Sequence, residues 1–129
     1  MRILSTLVVL LASLTIAACG SVPIMNVSNA PAVNASGKTL SPEQVKTAIL
    51  RAGAGLGWQM KEDGPGKLTA TLELRNHTAV VEIPYSPASY SIVYKSSSNL
   101  HEGGGKIHKN YNGWIQNLTR AINVQLAAS

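Results

Sequence analysis

Several groups of residues in this 129-residue chain have types and spacing that can support chemistry. His101, Glu102 and His108 bring two imidazoles and a carboxylate into one short segment, a donor set that suits a divalent metal ion. Their spacing matches no standard site, and Gly103, Gly104 and Gly105 lie between them, so ordering the loop would cost backbone entropy. Solvated loop residues are expected, with no metal ligand assigned. Gly103-Gly104-Gly105-Lys106 also sits between a predicted strand and a predicted helix, where backbone amides can hold an anion. It does not meet the GxxxxGK[ST] spacing, and Ile107 stands where the magnesium-binding hydroxyl belongs. A flexible connector is expected, and no cofactor is assigned. Ser96, Ser97 and Ser98 lie near His101, but there is no Gly-x-Ser-x-Gly elbow and Asp63 is the only aspartate. Glu73 and Glu82 alternate with Arg75 and Lys95 as on an ordinary solvated sheet face rather than a glycosidase pair. His77 sits at a predicted hairpin tip. The sequence therefore predicts no catalytic residue.

The aromatic residues leave two readings open. Tyr94, Tyr111 and Trp114, with Asn99, Asn110 and Asn112 nearby, converge where the last predicted strand meets the last predicted helix. Either the rings are core and the amides cap loops and helix ends, or together they form a shallow groove for a glycan or peptide. The candidate groove residues are Tyr94, Asn99, His101, His108, Tyr111 and Trp114.

These residues are positioned by a small domain. With 45% hydrophobic and 13% charged residues the chain is too apolar for a disordered basic tail, and its length holds one domain plus terminal extras. Ser41-Pro42 with Gln44 forms a capping box at the start of a helix running to about Ala52. Val45, Ala48, Ile49 and Ala52 form one apolar stripe, Leu40 and Val45 a hydrophobic staple, and Gly53, Gly55 and Gly57 the exit. A tight turn at Asn76-His77 pairs Leu74 with Ala79, Leu72 with Val81, Ala70 with Ile83 and Leu68 with Tyr85. A loop from Ser86 to Ser89 then sets Tyr85 opposite Tyr90, Val81 opposite Tyr94 and Val80 beside Lys95. A short upstream strand places Met60 opposite Leu68 and Trp58 opposite Ala70. After a loop from Ser96 to Gly105, a second helix runs from about Ile107 to Leu126 on a stripe of Ile107, Tyr111, Trp114, Leu118, Ile122 and Leu126. Gly113 interrupts that helix, which points to a close contact there. The expected fold class is α+β: a two-layer sandwich with an antiparallel meander of three to four strands and both helices on its apolar face.

The amino-terminal residues address the chain rather than build it. Arg2 is followed by an uncharged apolar run from Ile3 to Ile16, the n-region and h-region of a signal peptide. The run is short of the roughly 20 residues that a permanent span needs. From Gly20 to Lys38 the sequence carries prolines and no acidic residue, and reads as a flexible tether of about 19 residues reaching on the order of 20 to 25 Å, with an edge strand at Ile24 to Val27 as the alternative. The expected division is residues 1–18 signal peptide, 19–38 cysteine and tether, and 39–129 the domain.

Ile16-Ala17-Ala18-Cys19 resembles the lipobox of bacterial lipoproteins, an aliphatic residue and two small ones before the modified cysteine. That resemblance implies cleavage between Ala18 and Cys19, diacylglyceryl on the Cys19 thiol and an acylated new amino terminus, and it accounts for the lone cysteine. Two or three chains make a stable anchor at about 0.8 kcal/mol per buried methylene. Gly20 follows the cysteine where that family's inner-membrane retention signal has aspartate, so the implied place is the outer membrane, facing the periplasm. The stretch from Tyr90 to Ile122 is similar to a pattern in small envelope lipoproteins of α-β-β-β-α organisation, a family that brings no activity, cofactor or partner to carry over.

The expected function is a lipid-anchored, non-enzymatic envelope domain that binds or scaffolds a protein or cell-wall glycan. The alternatives are a metal-binding or small hydrolytic protein using His101, Glu102 and His108, and an assembly factor pairing through an exposed edge strand near Lys95 or Met60. Without Arg2 there are ten basic and six acidic residues, spread rather than clustered, which argues against nucleic acid and fits an anionic lipid surface. Oligomeric state is not encoded in any feature of the sequence.

Overall fold

The computed structural model describes residues 20–129; the apolar run and the Ile16-Ala17-Ala18-Cys19 motif lie outside the described residues. Two helices and seven strands follow one another as β1 (Ser21–Pro23), β2 (Val27–Pro31), α1 (Pro42–Gly55), β3 (Gln59–Glu62), β4 (Lys67–Leu74), β5 (His77–Pro84), β6 (Ser89–Ser98), β7 (Lys106–His108) and α2 (Lys109–Ala127). The fold is α+β, with an antiparallel five-stranded sheet in the order β2-β6-β5-β4-β3 and a two-stranded ladder of β1 and β7.

Local chemistry sets α1. Ser41 caps it with both halves of the capping box made: the Gln44 amide donates to Ser41 Oγ at 3.2 Å and the Ser41 amide to Gln44 Oε1 at 2.9 Å. Val45, Ala48, Ile49 and Ala52 are buried as their spacing predicts, with Leu40 buried beside them. The glycines divide the exit between them. Gly53 is where the helix meets the Met60 side chain with no room for a Cβ, and Gly57 takes the left-handed conformation at φ 89°.

The sheet buries the predicted face, but two registers differ from expectation. The observed pairs are Leu74 with His77, Leu72 with Ala79, Ala70 with Val81 and Leu68 with Ile83, so the tight turn is Arg75-Asn76 rather than Asn76-His77. On the other side Met60 faces Ala70 rather than Leu68. Both shifts are two residues, and a two-residue shift returns every side chain to the same face, so hydrophobic alternation does not distinguish the registers. Asn99 does. Its Nδ2 donates to the Asn76 carbonyl at 2.6 Å, its own carbonyl lies 2.8 Å from His77 Nδ1, and Arg75 is left-handed at φ 55°. The β5–β6 register follows expectation from Tyr85 opposite Tyr90 to Val81 opposite Tyr94. Beyond that point Val80 pairs with Ser96, leaving Lys95 as the extra residue of a bulge and carrying β6 on to Ser98.

Helix α2 starts at Lys109, two residues later than predicted, because Ile107 is taken into β7. Its buried stripe is Tyr111, Ile115, Leu118, Ile122 and Leu126; Ile115 replaces Trp114, which is only partly covered. The two helices pack on each other and on the inward face of the sheet, where Leu68, Ala70, Leu72, Ala79, Val81, Ile83, Tyr90 and Ile92 complete the core.

The largest correction concerns residues 20–38, which are not a free tether. Ser21–Pro23 pairs with β7, and Val27–Pro31 forms the edge strand of the main sheet beside β6. Ile24, Met25, Val27 and Ala30 pack against the core, and Ala32 is buried in it. The prolines that suggested a linker sit at the end of β1 and on an outer edge, where a missing N–H costs no ladder bond. Asn side chains do the fastening: Asn26 Oδ1 accepts from the Tyr94 amide at 2.9 Å, and Asn34 accepts from the Ser36 amide while its Nδ2 donates to the Ser129 carbonyl. The folded unit therefore includes residues 20–38 rather than starting at Thr39.

Gly113 is a second correction, since a Cβ placed there meets no atom within 4 Å. With no contact to lose, Gly113→Ala should stabilise the fold by up to about 1 kcal/mol through helix propensity. A higher urea midpoint at unchanged slope would show this, and a lower midpoint would reveal a strain that the open surroundings do not suggest.

Candidate functional site

The six residues predicted for a groove separate into three environments. Tyr111 is fully buried beneath Tyr94, the rings meeting edge to face with centroids 5.6 Å apart and planes at 81°. Tyr94 Oη hydrogen-bonds Ser97 Oγ at 2.8 Å, which uses its polar end locally. Tyr111 Oη is buried with no partner among the described residues, and burial, with the Tyr94 hydroxyl adding to it, pushes the phenol up. For these two rings, the core reading holds.

The loop residues are occupied by structural bonds or turned outward. Asn99 takes a left-handed φ of 60° and fastens the β4–β5 turn through the two bonds described above. His101, left-handed at φ 53°, is exposed, as are Glu102 and Gly103. His108 is the N-cap of α2, its Nδ1 accepting from the Asn110 amide at 3.1 Å. No group of three His, Cys, Asp or Glu side chains among the described residues is placed to hold a metal ion, so His101, Glu102 and His108 do not form one. The glycine loop closes into a tight bridge in which Gly103 and Lys106 exchange backbone bonds, with Gly104 and Gly105 left-handed.

Trp114 alone stands at an open site. It lines a shallow groove of about 470 Å³ between the amino-terminal segment and α2, together with Val22, Met25, Lys109, Gln116 and Asn117. On its other side it lines a nook of about 110 Å³ with Leu56, Trp58, Leu72 and Leu74. His77 lies against it, ring centroids 6.3 Å apart at 51°. Asn112 borders the groove as a clasp: its Oδ1 accepts from the Met25 amide at 3.0 Å and its Nδ2 donates to the Pro23 carbonyl at 2.9 Å. The hollow beside Trp114 is thus lined by Val22, Met25, Gln116 and Asn117 rather than by Tyr94 and Tyr111. One signal was available in the sequence. Lys109, Asn112, Gly113 and Gln116 recur at helical spacing beside the apolar stripe, and Gly113 keeps that face low without any packing need.

Charge is concentrated at the far end of the domain. Lys46 bridges Glu62 at 2.9 Å and Glu43 at 3.1 Å, and donating hydrogen bonds to these two carboxylates, Glu62 foremost, raises its pKa. Lys67 lies 3.5 Å from Asp63 and holds that carboxyl below its usual range, with a further hydrogen bond from Thr69. Lys67 and Lys95 both approach Glu82, so the outer sheet face carries a chain of surface ion pairs.

Tyr111 yields a test of the core reading. Its buried phenol stays protonated in the folded chain, while the unfolded chain ionises near the usual value of about 10. Above that pH the unfolded state holds fewer protons, so stability is flat below pH 10 and falls above it. In Tyr111→Phe the fall should be shallower and stability at neutral pH unchanged or higher, since an unpartnered buried hydroxyl is removed. Denaturant titrations from pH 7 to 11 read both, and an unchanged alkaline slope would show that the hydroxyl is solvated. No family model matches this chain, and neither a curated protein nor a solved structure matches it.

Proposed function

We propose that this chain is a lipid-anchored protein of the bacterial cell envelope whose folded part is a small, non-catalytic binding or scaffolding domain. The observation that carries this reading is the position of Cys19. The lone cysteine follows two small residues at the end of a short apolar run and immediately precedes Gly20, which is held in the folded domain. A diacylglyceryl group on that thiol and acyl on the new amino terminus supply membrane attachment without a spanning helix.

The non-catalytic part of the proposal draws on how the polar side chains are used. Asn99, His108 and Asn112 are engaged in bonds that hold turns, a helix start and the amino-terminal segment. What remains available is the groove beside Trp114, where amides and an indole suit the hydroxyls and apolar faces of a cell-wall glycan, or a peptide of a protein partner. Glycan or protein is the expected partner; nucleic acid and a metal cofactor are not.

Expressing the full chain and Cys19→Ser in a bacterial host with labelled palmitate tests the anchor. Label is expected on the wild type alone, in the outer-membrane fraction. Wild-type protein without label, recovered in the soluble fraction, would sink the reading.

A further inference from the structure

We infer that the end of the domain around Gly20 docks against the lipid headgroups, with exposed Leu56 and Leu74 and the side chains of Arg75, Lys106 and Lys109 facing an anionic bilayer. The inference rests on the anchor reading above and adds the orientation in which the anchored domain is held.

The first support is the absence of slack. A free tether would let the domain tumble some 20 Å from the membrane, but the residue after the proposed anchor is already bonded into the fold. The Lys109 amide donates to the Gly20 carbonyl, β1 pairs with β7 from Ser21 opposite His108, and the Ile24 amide donates to Gly105 at 3.0 Å. Gly20 is left-handed at φ 95°, and a Cβ there would stand 3.4 Å from His108 Nε2, so the residue after Cys19 is fitted to this place. Asn112 fastens the next turn of chain from the side. One Cα–Cα step of about 3.8 Å then separates the anchored residue from the fold.

The second support is the chemistry of that end. Leu56 and Leu74 are 42% and 45% exposed, two large apolar side chains placed beside the partly covered Trp114. Arg75 forms the neighbouring turn, Lys109 at the start of α2 bonds the Gly20 carbonyl through its amide, and Lys106 lies across the same short ladder, opposite Pro23. Among the described residues none of the three cations takes part in an ion pair. At the opposite end Glu43, Glu62 and Asp63 are each paired with Lys46 or Lys67. Basic side chains close to an anionic leaflet contribute on the order of 1 kcal/mol each.

Lysine footprinting of the mature chain on vesicles of phosphatidylcholine and phosphatidylglycerol tests the orientation. Lys106 and Lys109 should acylate several-fold more slowly than in detergent, while Lys38 and Lys61, toward the far end, should be unchanged. A glycine-serine insert between Cys19 and Gly20 should remove the difference. Equal rates for all four lysines, or protection of Lys38 and Lys61 instead, would overturn the inference. The anchor is checked separately by the mass of the amino-terminal peptide. If it carries no lipid, the same footprint on chain coupled through the Cys19 thiol to a maleimide lipid still reads whether this end docks.

Discussion

Helix α2 is the element from which the rest of the molecule hangs. Tyr111, Ile115, Leu118, Ile122 and Leu126 are all essentially without solvent contact, and each aliphatic side chain so buried contributes about 1.5 to 3 kcal/mol. That stripe closes the apolar face of a sheet that would otherwise present eight core residues to water. The ends of the same helix hold the amino-terminal segment: its first residues receive Gly20, Pro23 and Met25, and its last turn accepts the Ala35 amide at Ala127 and presents Ser129 to Asn34. Residues 20–37, weak in intrinsic propensity, are ordered because a rigid helix offers partners at both ends.

This arrangement explains why so many candidate groups have no chemistry left. A small domain has little core to spare, and the polar residues that might have formed a site secure its edges instead. Asn99 fixes a hairpin register, Asn112 clasps a strand, Asn34 ties two termini, and His108 starts a helix. Trp114 escapes because the α2 stripe runs through Ile115, leaving the indole at the seam between the helix, the amino-terminal segment and the α1–β3 exit.

The order of residues 20–38 changes what an anchor at Cys19 would mean. A flexible tether separates attachment from orientation, so any surface can face the membrane. With β1 built into the fold, attachment and orientation are coupled, and the residues around the first strand acquire a role through position. The two exposed leucines meet beside Trp114 because β4 and α1 finish at that end.

Patterns of local origin were legible in the sequence: the capping box at Ser41, the α1 stripe, the inward face of every long strand, the pairing of Tyr85 with Tyr90, and the α+β class. Each depends on residues close in the chain or on a period of two or 3.6. Register was decided elsewhere, since a shift of two residues preserves that period, and at the β4–β5 turn Asn99, 23 residues from Asn76, holds the observed one. Likewise no local signal announces that Val22, Met25 and Asn112 meet across nearly ninety residues, so both the docking of the amino-terminal segment and the groove beside Trp114 came from tertiary structure. Hydrophobic order along the chain determines which face is buried; which polar side chain reaches which distant carbonyl is settled only once those faces have packed.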